Sequence, residues 1–136
     1  MQNIKDLIRT FYTEALTVRE GGSPVPTMER LLADDFQSIN AAETKGKAQL
    51  IGQVQGFWKL IPDLKWEPVQ LVQEGNTVVV RSVVTGSPKG PFMGLELDGT
   101  KSFRITTIDM HTFENGQVKF VNHVEEWLTA VKQLKS

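Results

Sequence analysis

The chain has 136 residues, of which 40% are hydrophobic and 23% are charged, with a formal net charge of -1. This size and composition suit one globular domain over residues 1–136, and the near-neutral charge argues against nucleic acid or anionic membrane as a partner. Zero cysteines exclude a disulfide scaffold, thiol catalysis and cysteine-ligated zinc. With no apolar run long enough to span a bilayer and no signal-peptide pattern, we expect a cytoplasmic protein.

Helical periodicity dominates the first half of the sequence. Apolar residues at spacings of three and four predict an amphipathic helix over 3–19, ended by the Gly21-Gly22 step. Thr27 can cap a short helix that includes Leu32. A third helix is predicted after Thr44, and Pro62 ends it.

The period changes to that of strands after Asp63. Four strands are predicted, over 66–72, 77–85, 101–113 and 117–126, and a short helix over 128–134 closes the chain. Gly75-Asn76 and Asn115-Gly116 supply the residues that tight hairpin turns require, so neighbouring strands should pair antiparallel. Helices followed by a meander of strands indicate an α+β fold.

The last hairpin concentrates polar side chains. A two-residue turn at Asn115-Gly116 sets Asp109 opposite Asn122, whereas one bulge would set Asp109 opposite His123 instead. Opposed Cβ atoms lie about 5 Å apart, so Asp109 meets one polar residue in either register. Alternation of polar and apolar residues is also what a strand with one solvated face produces.

Several segments together resemble the SnoaL-like polyketide cyclase family, within the nuclear-transport-factor-2-like superfamily. They are Phe57-Trp58-Lys59-Leu60-Ile61-Pro62-Asp63-Leu64, the turn at Glu74-Gly75-Asn76, the Gly-rich loop over 85–94, and the hairpin over 109–126. The resemblance implies a cone-shaped (cystatin-like) α+β fold, in which a curved antiparallel sheet wraps around N-terminal helices. It also implies a homodimer, because the family commonly pairs sheets.

The same resemblance implies a catalytic pair in the final hairpin. Family members use a His on the outgoing strand and an Asp on the return strand, and here Asp109 and His123 stand at those positions with the two groups exchanged. The family also commonly places a His shortly after the Asp-Phe step, where this chain has Ser38-Ile39-Asn40. Further residues are expected to contact substrate: Tyr12, Phe36, Trp58, Phe92, Met93, His111, Asn122 and Glu126.

The expected function is therefore cofactor-independent proton transfer on a small hydrophobic carbonyl compound, by aldol-type cyclisation or isomerisation. The alternative is a non-catalytic domain that binds a small ligand or dimerises, because one fold hosts many functions. A carboxylate-and-water hydrolase of the epoxide type is a third, weaker hypothesis. Two histidines without regular ligand spacing predict no metal site, and nothing in the sequence indicates a flavin or nucleotide.

Overall fold

The computed structural model describes residues 3–136, and its helices and strands follow an α+β order. The helices are α1 (Ile4–Thr10), which continues as a π-helical segment (Phe11–Leu16), then α2 (Val25–Leu31), α3 (Lys47–Leu60) and α4 (Trp127–Lys135). The strands are β1 (Leu32–Ile39), β2 (Thr44–Gly46), β3 (Lys65–Glu74), β4 (Thr77–Gly86), β5 (Pro91–Phe92), β6 (Leu95–Glu96), β7 (Phe103–Glu114) and β8 (Gln117–Glu125). No helix within residues 3–136 has the length and apolar character needed to cross a bilayer.

Six strands form one curved sheet in the order β2-β1-β8-β7-β4-β3, and β5 pairs with β6 in a separate small hairpin. The predicted α+β class is confirmed, but two strands in the first half escaped prediction. Leu32 begins β1 instead of ending a helix, and Thr44, after which the third helix was predicted, begins the short strand β2. β1 pairs with β8 in parallel, so one pairing of the sheet departs from the expected antiparallel pattern.

The first helix changes its winding halfway. The predicted 3–19 helix is α-helical only to Thr10, and the next six residues are π-helical. Four of those six side chains are buried: Phe11, Tyr12, Ala15 and Leu16. An i to i+5 repeat brings Phe11 and Leu16 to the same side of the helix, and both are buried.

The register of the β7–β8 hairpin is set by a bulge. Asn115 and Gly116 form its two-residue turn with positive φ angles of 53° and 77°. Phe113 lies opposite Val118, but Thr112 lies opposite Phe120, so Lys119 is an extra residue in β8. The bulge therefore selects the register in which Asp109 faces His123.

The core lies between the helices and the inner face of the sheet. Val78, Val80 and Val84 of β4 are fully buried in it. Ile108 and Met110 of β7 lie on the outer face, with 42% and 46% of their surface exposed.

The two edge strands of the sheet, β2 and β3, differ in length and regularity. β2 has only three residues, and it leads directly into α3. β3 contains Pro68, and Val69 next to it is an extra residue in the pairing with β4. Proline cannot donate a ladder hydrogen bond, and a bulge interrupts the regular pairing.

Gly86, the last residue of β4, lies against the end of α3. A Cβ atom added there would come within 2.5 Å of Ile61 Cγ2 and 3.3 Å of the Phe103 ring. We therefore expect Gly86→Ala to lower the free energy of unfolding by about 1–3 kcal/mol, because a packed contact must shift. Urea unfolding followed by circular dichroism measures this change.

Gly52→Ala is the matched control. Gly52 is an exposed helix residue of α3 whose added Cβ would meet no atom within 4 Å. Alanine there should stabilise the protein by about 0.5–1 kcal/mol, since glycine is the poorer helix former. Equal effects of the two substitutions would contradict the packing described at Gly86.

Candidate active site

A cavity of about 320 Å³ lies between the helices and the inner face of the sheet. Aromatic side chains line one part of it, namely Phe11, Phe57, Trp66, Phe92 and Trp127. Polar side chains line another part, namely Ser38, Asn40, Glu43, Lys45, Gln53, Asp109, His111, His123 and Glu125. Such a volume is near the lower end of small-molecule sites, which are typically about 300–1,000 Å³.

Asp109 projects from β7 towards this cavity and is only 5% exposed. The Tyr12 hydroxyl donates a hydrogen bond of 2.5 Å to its Oδ2 atom. Burial raises the pKa of Asp109 to about 7, against the opposing effect of the Tyr12 hydrogen bond. Both the protonated and the ionised form of Asp109 are therefore populated near neutral pH.

His111 lies behind the same tyrosine, two residues further along β7. Its Nε2 atom is 2.8 Å from the Tyr12 hydroxyl, and burial lowers the pKa of the imidazole to about 3. Because Tyr12 gives its single proton to Asp109, a neutral His111 donates from Nε2 to the phenol oxygen. Its buried Nδ1 atom then has no hydrogen-bond partner among residues 3–136.

His123 lies opposite Asp109 on β8, with both of its ring nitrogens engaged. Nδ1 is 2.5 Å from Glu125 Oε2, and Nε2 is 3.0 Å from Ser38 Oγ. The hydrogen bond to Glu125 raises the pKa of His123, and Asp109 adds to this effect, while burial and Lys45 oppose it. Glu125 therefore favours the imidazolium form.

A metal ion is a second use that these side chains allow. Asp109, His123 and Glu125 each offer one ligand atom, and these atoms all lie within 4.8 Å of one another. The sequence predicted no metal site, and Asp109 joins His123 and Glu125 only through the pairing of β7 with β8. A bound cation would have to replace the hydrogen bond between His123 and Glu125.

The residues predicted to contact substrate fall into different places. Phe92, Met93 and His111 do border the cavity. Tyr12 is fully buried and contacts Asp109 and His111 instead of the cavity, and Phe36 belongs to the core. Trp58 donates from its indole nitrogen to the Ala15 carbonyl, which is a structural contact outside the cavity lining.

Asn122 and Glu126 lie away from the cavity. Asn122 faces outwards beside Met110, because the bulge turns His123 and Glu125 inwards. Glu126 is exposed, and its Oε1 atom accepts the backbone N–H of Thr106. Neither side chain is among the residues that line the cavity.

Two residues of the site were missing from the sequence prediction, namely Glu125 and Ser38. Period-two alternation from His123 would have placed Glu125 on the inner face once the bulged register was chosen. No local signal marked Ser38, since its contact depends on the parallel pairing of β1 with β8.

Asp109 and His111, the two buried groups on β7, should change the stability of the fold with pH in opposite directions. Folding raises the pKa of Asp109, so the stability that its protonated form contributes is lost as pH rises from about 4 to about 7. His111 has a lowered pKa, so its contribution is lost as pH falls from about 6.5 to about 3. Between about 4 and 6.5 folding moves one proton from His111 to Asp109, and the two slopes cancel.

Asp109→Asn should remove one side of this balance. Relative to wild type, its free energy of unfolding should rise with pH between about 4 and 6.5, by roughly 1 kcal/mol per pH unit. His111→Gln should show the opposite slope over the same range. Urea unfolding at a series of pH values measures both, and parallel curves for the three proteins would contradict the assignment of these shifts.

The fold of this chain is shared with proteins of known structure. No curated protein sequence matches the chain. Among solved structures, IdmH of Streptomyces antibioticus, provisionally assigned as a polyketide cyclase, is 21% identical with a TM-score of 0.84, over 99% of this chain and 100% of its own. TsrD of Streptomyces laurentii is 22% identical with a TM-score of 0.82, over 96% of this chain and 94% of its own.

AclR of Streptomyces galilaeus, provisionally assigned as a hydroxylase, has the same fold at 19% identity and a TM-score of 0.82, over 96% of this chain and 94% of its own. These structural likenesses show the fold alone. The family model described as SnoaL-like polyketide cyclase matches residues 6–134. The chain therefore belongs to the SnoaL-like polyketide cyclase family.

Proposed function

We propose that the protein is a cofactor-independent acid/base enzyme that moves a proton α to the carbonyl group of a small hydrophobic compound, in an aldol-type cyclisation or an isomerisation. The observation that carries this proposal is the Asp109–His123 pair, which faces an apolar-walled cavity across two adjacent strands. A general base is most effective when its pKa lies near the working pH, and the pKa of Asp109 is raised to about 7.

In this proposal the Asp109 carboxylate takes the α proton. Oδ2 is held by the Tyr12 hydroxyl, and the hydrogen bonds of the described residues leave the other oxygen free. The C–H electrons move to the carbonyl oxygen and form an enolate, whose α carbon can attack a second carbonyl of the same molecule. Asp109 then returns a proton to the product.

The positive end of the site supports the enolate. The Glu125 carboxylate keeps His123 in its imidazolium form, and the imidazolium lies on the wall where negative charge develops. Preorganised charge of this kind acts strongly in a cavity with low dielectric constant. The exchanged order of the acid and the imidazole along the hairpin changes which strand supplies the base, but both groups remain on the inner face.

The aromatic part of the cavity supports a flat, apolar substrate. Trp127 contacts Phe57, Trp66 and Phe92 at ring-centroid distances of 6.3, 6.4 and 5.9 Å. Fused-ring or phenyl-bearing carbonyl compounds could pack on this surface, with their oxygen atoms towards Asp109 and His123. The net charge of -1 gives no support to a nucleic acid ligand.

A ligand-binding module without catalysis is the second candidate. It is favoured by the hydrogen bonds at both nitrogens of His123, which leave the imidazole no free N–H for substrate. This candidate predicts that substitutions in the pair change ligand affinity, and that there is no turnover to lose.

We also propose that two copies associate through the outer face of the sheet. Ile108, Met110 and Val124 are exposed and adjacent there, with Val124 paired opposite Ile108. In a dimer with two-fold symmetry, this patch would pack against the same patch of the second copy. The apolar residues of both copies would then be buried together.

Sedimentation at micromolar concentration should show a dimer of the 15.2 kDa chain. Val124→Lys should give a monomer, because a lysine pair at the axis would bury like charges. Leu128→Lys, at an exposed leucine of α4, is the control and should leave the dimer intact. A wild-type protein that sediments only as a monomer would overturn this proposal.

Deuterium exchange into a small aromatic β-dicarbonyl compound tests the catalytic proposal. Asp109→Asn and His123→Gln should each lower the exchange rate by roughly 100-fold, and the double variant should cost little more. Dialysis against EDTA should leave the wild-type rate unchanged, because this mechanism uses no metal.

The pH profile of the same exchange assigns the two groups. The rate should rise as pH approaches about 7, where Asp109 ionises, and fall at higher pH as His123 loses its proton. The alkaline fall should disappear in His123→Gln. Equal exchange rates in the wild type and both single variants would remove the pair from the mechanism.

A further inference from the structure

We propose that Ser38 is a catalytic residue whose hydroxyl donates a hydrogen bond to the enolate oxygen of the substrate, while His123 and Glu125 polarise that hydroxyl from behind. This inference rests on the proposed function and names the group that touches the developing negative charge. An imidazole can form a hydrogen bond with a substrate only through a ring nitrogen that is free.

Both ring nitrogens of His123 are already engaged by side chains. Nδ1 lies 2.5 Å from Glu125 Oε2, and Nε2 lies 3.0 Å from Ser38 Oγ. An imidazolium is a donor at both nitrogens, so Ser38 Oγ must be the acceptor in the second bond. The proton of the Ser38 hydroxyl is then free to point to another acceptor.

Ser38 lies beside the cavity, so an acceptor for its hydroxyl proton would lie in the cavity. Ser38 is 4% exposed, and it borders the cavity together with Asp109 and His123. It is the last residue but one of β1, and it pairs with Val121 of β8 on one side and with Lys45 of β2 on the other. Two flanking strands thus fix the hydroxyl, as an oxyanion donor requires.

Lys45 is the other cation on this wall, and it is engaged elsewhere. Its ammonium forms an ion pair with the Glu43 carboxylate. Ser38 is therefore the donor that is both directed by His123 and fixed in a strand.

A different role for Ser38 has the opposite hydrogen-bond direction. With a neutral imidazole, Ser38 would donate its proton to Nε2 and become a nucleophile, as in a Ser-His-carboxylate triad. Glu125 and Asp109 both face His123 and favour its charged form, and Lys45 is the one described cation that opposes them. The balance of these charges favours the donor role.

Two variants and one control test this inference. Ser38→Ala should lower deuterium exchange into the β-dicarbonyl compound by about 100-fold, as expected for the loss of one oxyanion donor. Ser38→Thr keeps a hydroxyl and should stay within about tenfold of wild type. Ser82→Ala removes another buried hydroxyl, one with no partner among residues 3–136, and should have the wild-type rate.

A binding measurement separates donation from a structural effect. 4-Nitrophenol absorbs differently as phenol and phenolate, so titration of its bound form reports on how well the site holds an oxyanion. Wild type and Ser38→Thr should shift its ionisation to lower pH, and Ser38→Ala should lose most of that shift. The NMR titration of His123 should change little in Ser38→Ala, since Glu125 remains its main partner.

Three outcomes would overturn the inference. They are an exchange rate in Ser38→Ala within about twofold of wild type, an unchanged nitrophenol shift in that variant, or covalent labelling of Ser38 by a sulfonyl fluoride. If Asp109→Asn and His123→Gln lose activity while Ser38→Ala does not, only this inference fails. If none of the three variants changes the exchange rate, the proposed function fails, and this inference, which rests on it, fails with it.

Discussion

The pairing register of the β7–β8 hairpin is the constraint on which the site depends. Side chains alternate between the two faces of a strand, so a shift of one residue would reverse the faces of the whole return strand. With Lys119 as the extra residue, His123 and Glu125 lie on the inner face opposite Asp109 and Thr107. Without the bulge, Asn122 and Val124 would occupy those places.

The inner face that this register creates contains a costly set of groups. A carboxyl, a phenol and an imidazole from Asp109, Tyr12 and His111 are removed from water and satisfied largely by one another. Burying these polar groups lowers the stability of the fold. Such a cost is typical of functional sites, where residues are kept for binding or chemistry and not for stability. The π-helical winding contributes to this arrangement, because Tyr12 belongs to it and reaches the sheet from the helical layer.

Much of the fold was accessible from sequence because its signals are local. The hairpin turn at Asn115-Gly116, the end of α3 near Pro62 and the strand periodicity after Leu64 each depend on neighbouring residues. β1 was missed for the opposite reason. It carries Asp34 and Asp35 at exposed positions, so its alternation is broken, and it becomes a strand only by pairing with β8, which lies more than eighty residues away.

The same distinction explains the site. Asp109 and His123 could be named from the hairpin and the resemblance, but the choice between Asn122 and His123 depended on a bulge that has no sequence signature at Lys119. Ser38 and Tyr12 reach the pair through tertiary contacts separated by 85 and 97 residues. Sequence periodicity cannot report contacts of that kind, because it describes the face of an element and not what lies against it.

The two edges of the sheet have a consequence for how the protein avoids aggregation. An unpaired edge strand offers backbone donors and acceptors to any other extended chain. Here one edge is only the three residues of β2, and the other contains Pro68 beside the Val69 bulge. Neither edge offers a long regular ladder, so uncontrolled growth of the sheet by added strands is disfavoured, even though its outer face exposes the apolar side chains of Ile108, Met110 and Val124.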